Sequence, residues 1–87
     1  MNNELTLTGQ ITEIGAEQKV SEKFTKREFV IMQEGDYGTP ARFELTNSKT
    51  SLIDKFRVND KVTVSFNVRG NEHKGVVYVS LQAWKIV

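Results

Sequence analysis

The fold is decided by residues 58–86, which read VNDKVTVSFNVRGNEHKGVVYVSLQAWKI. Apolar side chains fall on every second position from Val62 to Val68 and again from Val77 to Ala83, and mostly polar side chains fill the gaps. A period of two predicts strands that have one buried and one exposed face. The polar residues 70–75 lie between the two strands and have a glycine at each end, so we predict a β-hairpin with a loop there.

Length and composition limit the class of protein. The chain has 87 residues, which predicts one small domain over residues 1–87 with a modest core. It has no cysteine and one histidine, which excludes a disulfide framework, a thiolate nucleophile and a cysteine-based zinc site. No apolar run is long enough to span a membrane and the N-terminus lacks a signal-peptide pattern, so we expect a cytoplasmic protein. The net charge of +1 excludes a strongly basic nucleic-acid clamp but allows a locally basic groove.

The N-terminal part of the chain predicts a long, bent first strand. Apolar residues and one glycine occupy every second position from Leu5 to Ile11, but the next apolar residue is Ile14, three positions later. This slip in parity predicts a β-bulge near Glu13, and a glycine in mid-strand also indicates sharp curvature. Residues 15–23 are polar and aperiodic, so we predict a loop there.

Two more strands are predicted before the central hairpin. Residues 24–33 form the second strand, with Phe29 and Ile31 facing inward. Two glycines and one proline within residues 34–40 predict a turn. Alternation then resumes over residues 41–46, which predicts a third strand.

A short helix is predicted between the third and fourth strands. Asn47 or Ser48 can cap it. The apolar side chains of the helix lie on one side and would plug one end of a barrel; they are Leu52, Ile53 and Phe56. In the turn at residues 58–61, Asn59 is expected to take the left-handed conformation.

The predicted fold is all-β, with one helix in the order β-β-β-α-β-β. This is the order of the OB fold, a five-stranded, partly open Greek-key barrel. An SH3-like barrel is the competing interpretation. The position of the helix disfavours it, because SH3-like barrels usually carry a single short 3₁₀ turn late in the chain.

Several segments resemble known families. Residues 43–46 (FELT), the short helix ending at Phe56, and residues 58–66 (VNDKVTVSF) resemble the bacterial single-stranded-DNA-binding proteins and the related primosomal replication protein. The chain resembles more closely a small family of uncharacterised bacterial and phage OB domains, through LTGQI at residues 7–11, KREFV at 26–30 and AWKI at 83–86. It departs from the first group in having Asn59 where glycine is usual.

The resemblance implies single-stranded DNA as a ligand, assembly into homodimers or homotetramers, and replication or repair proteins as partners. Members of the group often carry a flexible, acidic C-terminal tail that recruits such partners. This sequence departs from that pattern, because its last residue, Val87, directly follows the last predicted strand.

Candidate binding residues follow from the way OB domains hold single strands. The strand crosses the outer face of the second and third strands, flanked by two loops, and is held by cations and by aromatic stacking. Ten residues have suitable chemistry in those places: Lys19, Lys23, Phe24, Lys26, Arg27, Arg42, Arg69, His73, Lys74 and Tyr78. Alternatively, the charges of the second and third strands form a cross-strand ladder that stabilises the sheet. We expect Trp84 to pack against the start of the first strand or against another subunit.

The sequence therefore supports two hypotheses of different classes. The first is binding of single-stranded nucleic acid, DNA in preference to RNA, with low sequence specificity, in replication, recombination or repair. The second is an OB-fold interaction or oligomerisation module without nucleic-acid binding, since Val30, Met32, Tyr78 and Trp84 would face outward. No catalytic set, metal-ligand cluster or cofactor motif is present, so we predict neither an enzyme nor a cofactor.

Overall fold

The computed structural model describes residues 5–35 and 38–87. Its elements follow one another as β1 (Leu5–Ile14), β2 (Gln18–Ser21), β3 (Phe24–Gln33), β4 (Pro40–Thr46), a 3₁₀ helix (Asn47–Lys55), β5 (Lys61–His73) and β6 (Val76–Ile86). Of the predicted turn before β4, Asp36 and Tyr37 lie outside the described residues.

Five of the strands close into a barrel because β1 pairs with two neighbours. Its first half pairs with β5 and its second half with β3, and the ring continues from β5 through β6 and β4 to β3. The β4–β6 pairing is parallel and spans two residue pairs, so the barrel is partly open there. The pairing of β1 with β3 shifts register between Ile11 and Glu13, which confirms the predicted bulge. The predicted OB barrel, with a helix between its third and fourth strands, is thus confirmed.

The core lies inside this ring. The rings of Phe29 and Phe43 stack with centroids 5.5 Å apart, and Phe66 packs on Phe43 at 5.1 Å. Ile53, from the helix, is fully buried, so the helix plugs the barrel as predicted. The fully buried side chains on β3 confirm the predicted inward parity, because Phe29 and Ile31 are both among them.

The loop predicted for residues 15–23 is wrong in its second half. Gln18–Ser21 form β2, which pairs antiparallel with the start of β3. All of its residues are exposed, so neither face needs apolar side chains. A strand that is exposed to solvent on both faces shows no alternation of polarity, so the sequence pattern does not predict it.

The helix is also different in detail from the prediction. It is a 3₁₀ helix, its N-cap residue is Thr46 instead of Asn47 or Ser48, and no side chain caps it. Asn47 has a left-handed backbone (φ 51°) and its Oδ1 accepts a hydrogen bond from the Thr25 N–H. The hydroxyl of Thr50 donates to the Asn47 carbonyl, three residues back. Side chains that bond to the local backbone compete with α-helical bonding, which suits a short 3₁₀ segment.

The central hairpin is longer than predicted. β5 continues through the expected loop to His73, and the turn is made by Lys74 and Gly75, which have φ of 51° and 80°. Positive φ at both central residues is typical of the type I′ turn, whose twist matches that of the flanking strands. The predicted loop at residues 70–75 is therefore mostly strand.

The far part of this hairpin leaves the barrel. β1 pairs with β5 as far as Phe66, and β4 pairs with β6 at Leu81 and Gln82, so residues 67–80 form a two-stranded arm. The inward positions predicted for Val68, Val77 and Val79 are wrong: these side chains are 52%, 62% and 64% exposed. They have the inward parity, but none of the described strands covers them.

Candidate nucleic-acid interface

The outer face is the surface of β3, β4 and β6 that points away from the core. The cross-strand register places Lys26 beside Thr46, Glu28 beside Glu44, and Glu44 beside Gln82. These side chains are exposed or half-buried, whereas the alternate residues of the same strands fill the barrel. The outer face is therefore a polar surface on rigid strands.

Acidic side chains occupy the middle of the outer face. Glu28 and Glu44 are direct cross-strand partners, an arrangement that is destabilising unless a cation relieves it. The Arg42 Nε lies 3.8 Å from the Glu28 Oε2, which matches part of the predicted charge ladder. The Arg42 side chain is still 71% exposed, so it remains available to a second anion. The two carboxylates would repel the phosphodiester backbone of a nucleic acid, and the cations around them would attract it.

The arm extends the outer face. Arg69 and Ser80 are cross-strand partners on it, and Asn71 and Tyr78 are the next pair. The Arg69 Nη1 donates to the Gln82 Oε1 at 3.4 Å, and the Gln82 Nε2 donates to the Thr46 Oγ1 at 3.4 Å. These long bonds form a chain of polar groups from the arm onto β4.

Three adjoining grooves lie along this surface, and each is lined by a cation. The cleft groove, of about 430 Å³, opens where β4 and β6 diverge. Its outer-face lining includes Arg42, Glu28, Glu44 and Ser80, and apolar residues of inward parity line the rest, among them Leu7, Phe43 and Leu81. The arm groove, of about 490 Å³, is lined by Glu44, Arg69, Tyr78 and Ser80 among others. The helix groove, of about 320 Å³, lies at the start of the 3₁₀ helix and is lined by Thr46, Asn47, Ser48, Lys49, Asn67, Gln82, Ala83 and Trp84.

The structure brings four of the predicted site residues together. Lys26 and Arg42 lie on the outer face, and Arg69 and Tyr78 lie on the arm that continues it. Tyr78 is 58% exposed, as a base-stacking ring must be. His73 and Lys74 are at the tip of the arm, roughly 20 Å from its base at about 3.3 Å per residue. Lys19, Lys23 and Phe24 belong to the β2–β3 hairpin, at the other side of the outer face.

Arg27 is held apart from this surface. Its side chain is 20% exposed; Nε donates to the Gly15 carbonyl at 2.9 Å, and Nη1 lies 2.6 Å from an Asp54 oxygen. The same Nη1 donates to the Thr50 carbonyl at 3.4 Å. The guanidinium thus ties the end of β1 to the helix, so we leave it out of the proposed binding surface.

Sequence reasoning missed Lys49, Asn67 and Gln82. The alternation in the sequence predicts that Gln82 faces outward, but its position next to Thr46 depends on the short β4–β6 pairing. Lys49 reaches the same surface because the helix starts directly after β4. Trp84, expected to pack against the start of the first strand or against another subunit, lines the helix groove.

Residues 5–35 and 38–87 contain no group of three or more His, Asp or Glu side chains that could hold a metal ion. The helix of this part of the chain is too short and too polar to cross a membrane.

Comparisons with known proteins agree on the fold. The family model described as "Domain of unknown function (DUF3127)" matches residues 6–87. The structure is similar to the SSB domain of a Synechococcus sp. protein, with a TM-score of 0.76 and 16% identity over 99% of this chain and 94% of that chain. It is also similar to the mitochondrial single-stranded-DNA-binding protein Rim1 of S. cerevisiae, with a TM-score of 0.79 and 14% identity over 98% and 92% of the two chains.

A third similar structure is the N-terminal domain of PriB from Thermoanaerobacter tencongensis, described as dimeric. The TM-score is 0.71, with 14% identity over 100% of this chain and 96% of that one. The search of curated protein sequences gave no match. At these identities the likeness shows the fold, which is an OB fold of the SSB type.

Proposed function

The chain belongs to the family described as Domain of unknown function (DUF3127), and we propose that it binds single-stranded nucleic acid on its outer face. The ligand is single-stranded DNA in preference to RNA, bound with little sequence specificity. The proposed setting is replication, recombination or repair in the cytoplasm, with proteins of those processes as partners. Binding without catalysis is part of the proposal.

The observation that carries the proposal is the row of three cation-lined grooves. Arg42, Arg69 and Lys49 each line one of them, and Tyr78 lines the groove of Arg69. A single strand needs a cationic path for its phosphates and aromatic faces for its bases, and one strand could follow this row. Glu28 and Glu44 disfavour phosphates in the middle of the path, which suits moderate affinity.

Low sequence specificity follows from the same chemistry. Every base has a π-face, so stacking on Tyr78 discriminates little between bases. Duplex DNA keeps its bases stacked inside and presents no free faces. Ion pairs with phosphates supply affinity that falls as salt rises, with a slope of about −0.7 in log–log form for each phosphate that is neutralised.

Fluorescence anisotropy of a labelled oligo-thymidine tests this proposal. We expect binding at low salt that weakens as salt rises and a much lower affinity for a duplex of the same length. The same titration with oligo-uridine measures the preference for DNA. Equal binding of duplex and single strand, or no binding to either at low salt, would contradict the proposal.

Self-assembly is a second candidate function, favoured by the inner face of the arm. Val68, Val77 and Val79 lie side by side on that face and are each more than half exposed. Exposed apolar surface of this kind often marks a protein interface. A homodimer or homotetramer would also lengthen the binding path. Sedimentation velocity tests this candidate, and a protein that stays at the 9.9 kDa of one chain when concentrated would contradict it.

A further inference from the structure

Trp84 lies on the outer face, two residues after Gln82, at an irregularity in the β5–β6 pairing. Phe66 pairs with Ala83 and Ser65 pairs with Lys85, which leaves Trp84 without a cross-strand partner. An extra residue of this kind is a β-bulge. The indole is 36% exposed and lines the helix groove.

The helix groove differs in charge from its two neighbours. Glu44 lines both the cleft groove and the arm groove, whereas the helix groove is lined by no Asp or Glu among residues 5–35 and 38–87. Within that part of the chain its one charged side chain is Lys49. Among the three described grooves it is therefore the one in which a phosphate meets a cation and no carboxylate.

Two amide side chains complete the wall beside the indole. Asn67 and Gln82 are cross-strand partners, and both line the groove. Each amide carries a donor and an acceptor, so the pair can match the edge of any base. The hydrogen bonds of the Gln82 amide to Arg69 and Thr46 are both 3.4 Å long, so a ligand can displace them at little cost.

We infer that the helix groove is a nucleobase subsite. The Trp84 indole stacks on one base, the amides of Asn67 and Gln82 contact the edge of that base, and the Lys49 ammonium binds an adjacent phosphate. This inference rests on the proposed function and deepens it, because it names the place where a base is held. A sugar could also stack on an indole beside amides, but a groove with a cation and no carboxylate favours a phosphodiester.

The chain has one tryptophan and two tyrosines, so emission excited at a wavelength where tyrosine absorbs little reports on Trp84 alone. We would titrate the unmodified protein with end-labelled oligo-thymidine and record label anisotropy and tryptophan emission in the same cuvette. Emission should be quenched in step with the rise in anisotropy. An oligonucleotide of the same length with abasic sites keeps the phosphates and should bind more weakly, with little quenching.

Two variants distinguish affinity that is lost with base stacking from affinity that is lost because the protein unfolds. Trp84→Ala should weaken binding roughly 10-fold, the lower part of the range for one base stack. Asn67→Asp retains the indole and adds a carboxylate to the groove, so it should weaken binding most at low salt. Circular dichroism checks that both variants fold. Because Asn67→Asp is nearly isosteric and exposed, it tests the groove even where Trp84→Ala unfolds the protein.

The outcomes separate the inference from the proposed function. Anisotropy that rises without quenching, together with full affinity in Asn67→Asp, would overturn the subsite and leave the proposed function standing. Quenching by a neutral oligosaccharide but not by the oligonucleotide would overturn it in favour of a sugar site. No binding of the oligonucleotide at low salt would overturn the proposed function and the subsite together.

Discussion

Changing Arg42 and Arg69 together to glutamate should lower the affinity for single-stranded DNA about 100-fold at low salt. The change removes one cation from the cleft groove and one from the arm groove, and it adds two carboxylates beside Glu44. A hydrogen bond to a charged group contributes roughly 1.5–3 kcal/mol. Two such contacts at the lower end of this range cost about 3 kcal/mol, and about 2.7 kcal/mol corresponds to a 100-fold change. Fluorescence anisotropy with an oligo-thymidine measures the loss. The salt slope should also become shallower, by about 0.7 for each phosphate that is no longer neutralised.

The matched control is Lys55→Glu with Arg57→Glu, which changes the net charge by the same amount. Lys55 ends the 3₁₀ helix and Arg57 lies in the loop after it, so neither is on a strand of the outer face. A loss below about threefold is expected, because screened charges at a distance act weakly. If both double variants lost affinity equally, binding would depend on net charge and the outer face would not be the interface.

Changing Gly9 to alanine should destabilise the barrel by about 3 kcal/mol or more. Gly9 lies where β1 leaves β5 and begins to pair with β3. A Cβ at this position would lie 2.3 Å from the Met32 carbonyl oxygen and 2.9 Å from its carbonyl carbon. Both atoms are backbone, so one of the two strands must shift, and overpacking of this kind typically costs about 1–3 kcal/mol, occasionally more. Urea unfolding followed by circular dichroism measures the change.

Gly70→Ala is the control for Gly9→Ala. A Cβ at Gly70 meets no atom within 4 Å, and the residue lies in the exposed arm. Its backbone φ is not positive, so alanine adopts the same conformation without strain. We expect a change of about 0.5 kcal/mol or less. A barrel that tolerated Gly9→Ala equally well would contradict the close approach of the β1 and β3 backbones at Gly9.

The barrel could be predicted from the sequence because its strands each have one buried face. β3 has the predicted bounds, the bulge beside Glu13 lies where the parity slips, and Asn59 has the left-handed φ of 83° that was expected. Each of these features has a local cause. Alternation reports burial on one face, and few residues tolerate a positive φ.

The arm could not be predicted in the same way. The alternation of Val68, Val77 and Val79 indicates their parity, but burial depends on whether another strand covers them, and none of the described strands does. The two glycines at 70 and 75 suggested a six-residue loop. Only Gly75, with φ 80°, belongs to the turn, and Gly70 is an ordinary strand residue.

In the candidate site, too, the features that depend on strand parity could be predicted, and those that depend on strand register could not. Lys26 and Arg42 were predicted on the outer face from parity alone, and the register of β3 and β4 confirms that location. The pairing of Glu28 with Glu44 depends on that register, which a single sequence leaves undetermined. The outward direction of Trp84 was predicted from parity, but its groove is formed together with residues at the start of the 3₁₀ helix, so it became visible only in the folded barrel.

The central claim is that a single strand binds along the outer face, and amide chemical-shift mapping tests it most directly. Adding an unlabelled oligo-thymidine to ¹⁵N-labelled protein should shift the amides of β3 and β4 around Lys26 and Arg42, and those of the arm around Arg69 and Gln82. The amides of the loop around Arg57, which lies off this surface, should stay in place. Shifts centred on that loop, with the amides around Lys26, Arg42 and Arg69 unmoved, would contradict the account.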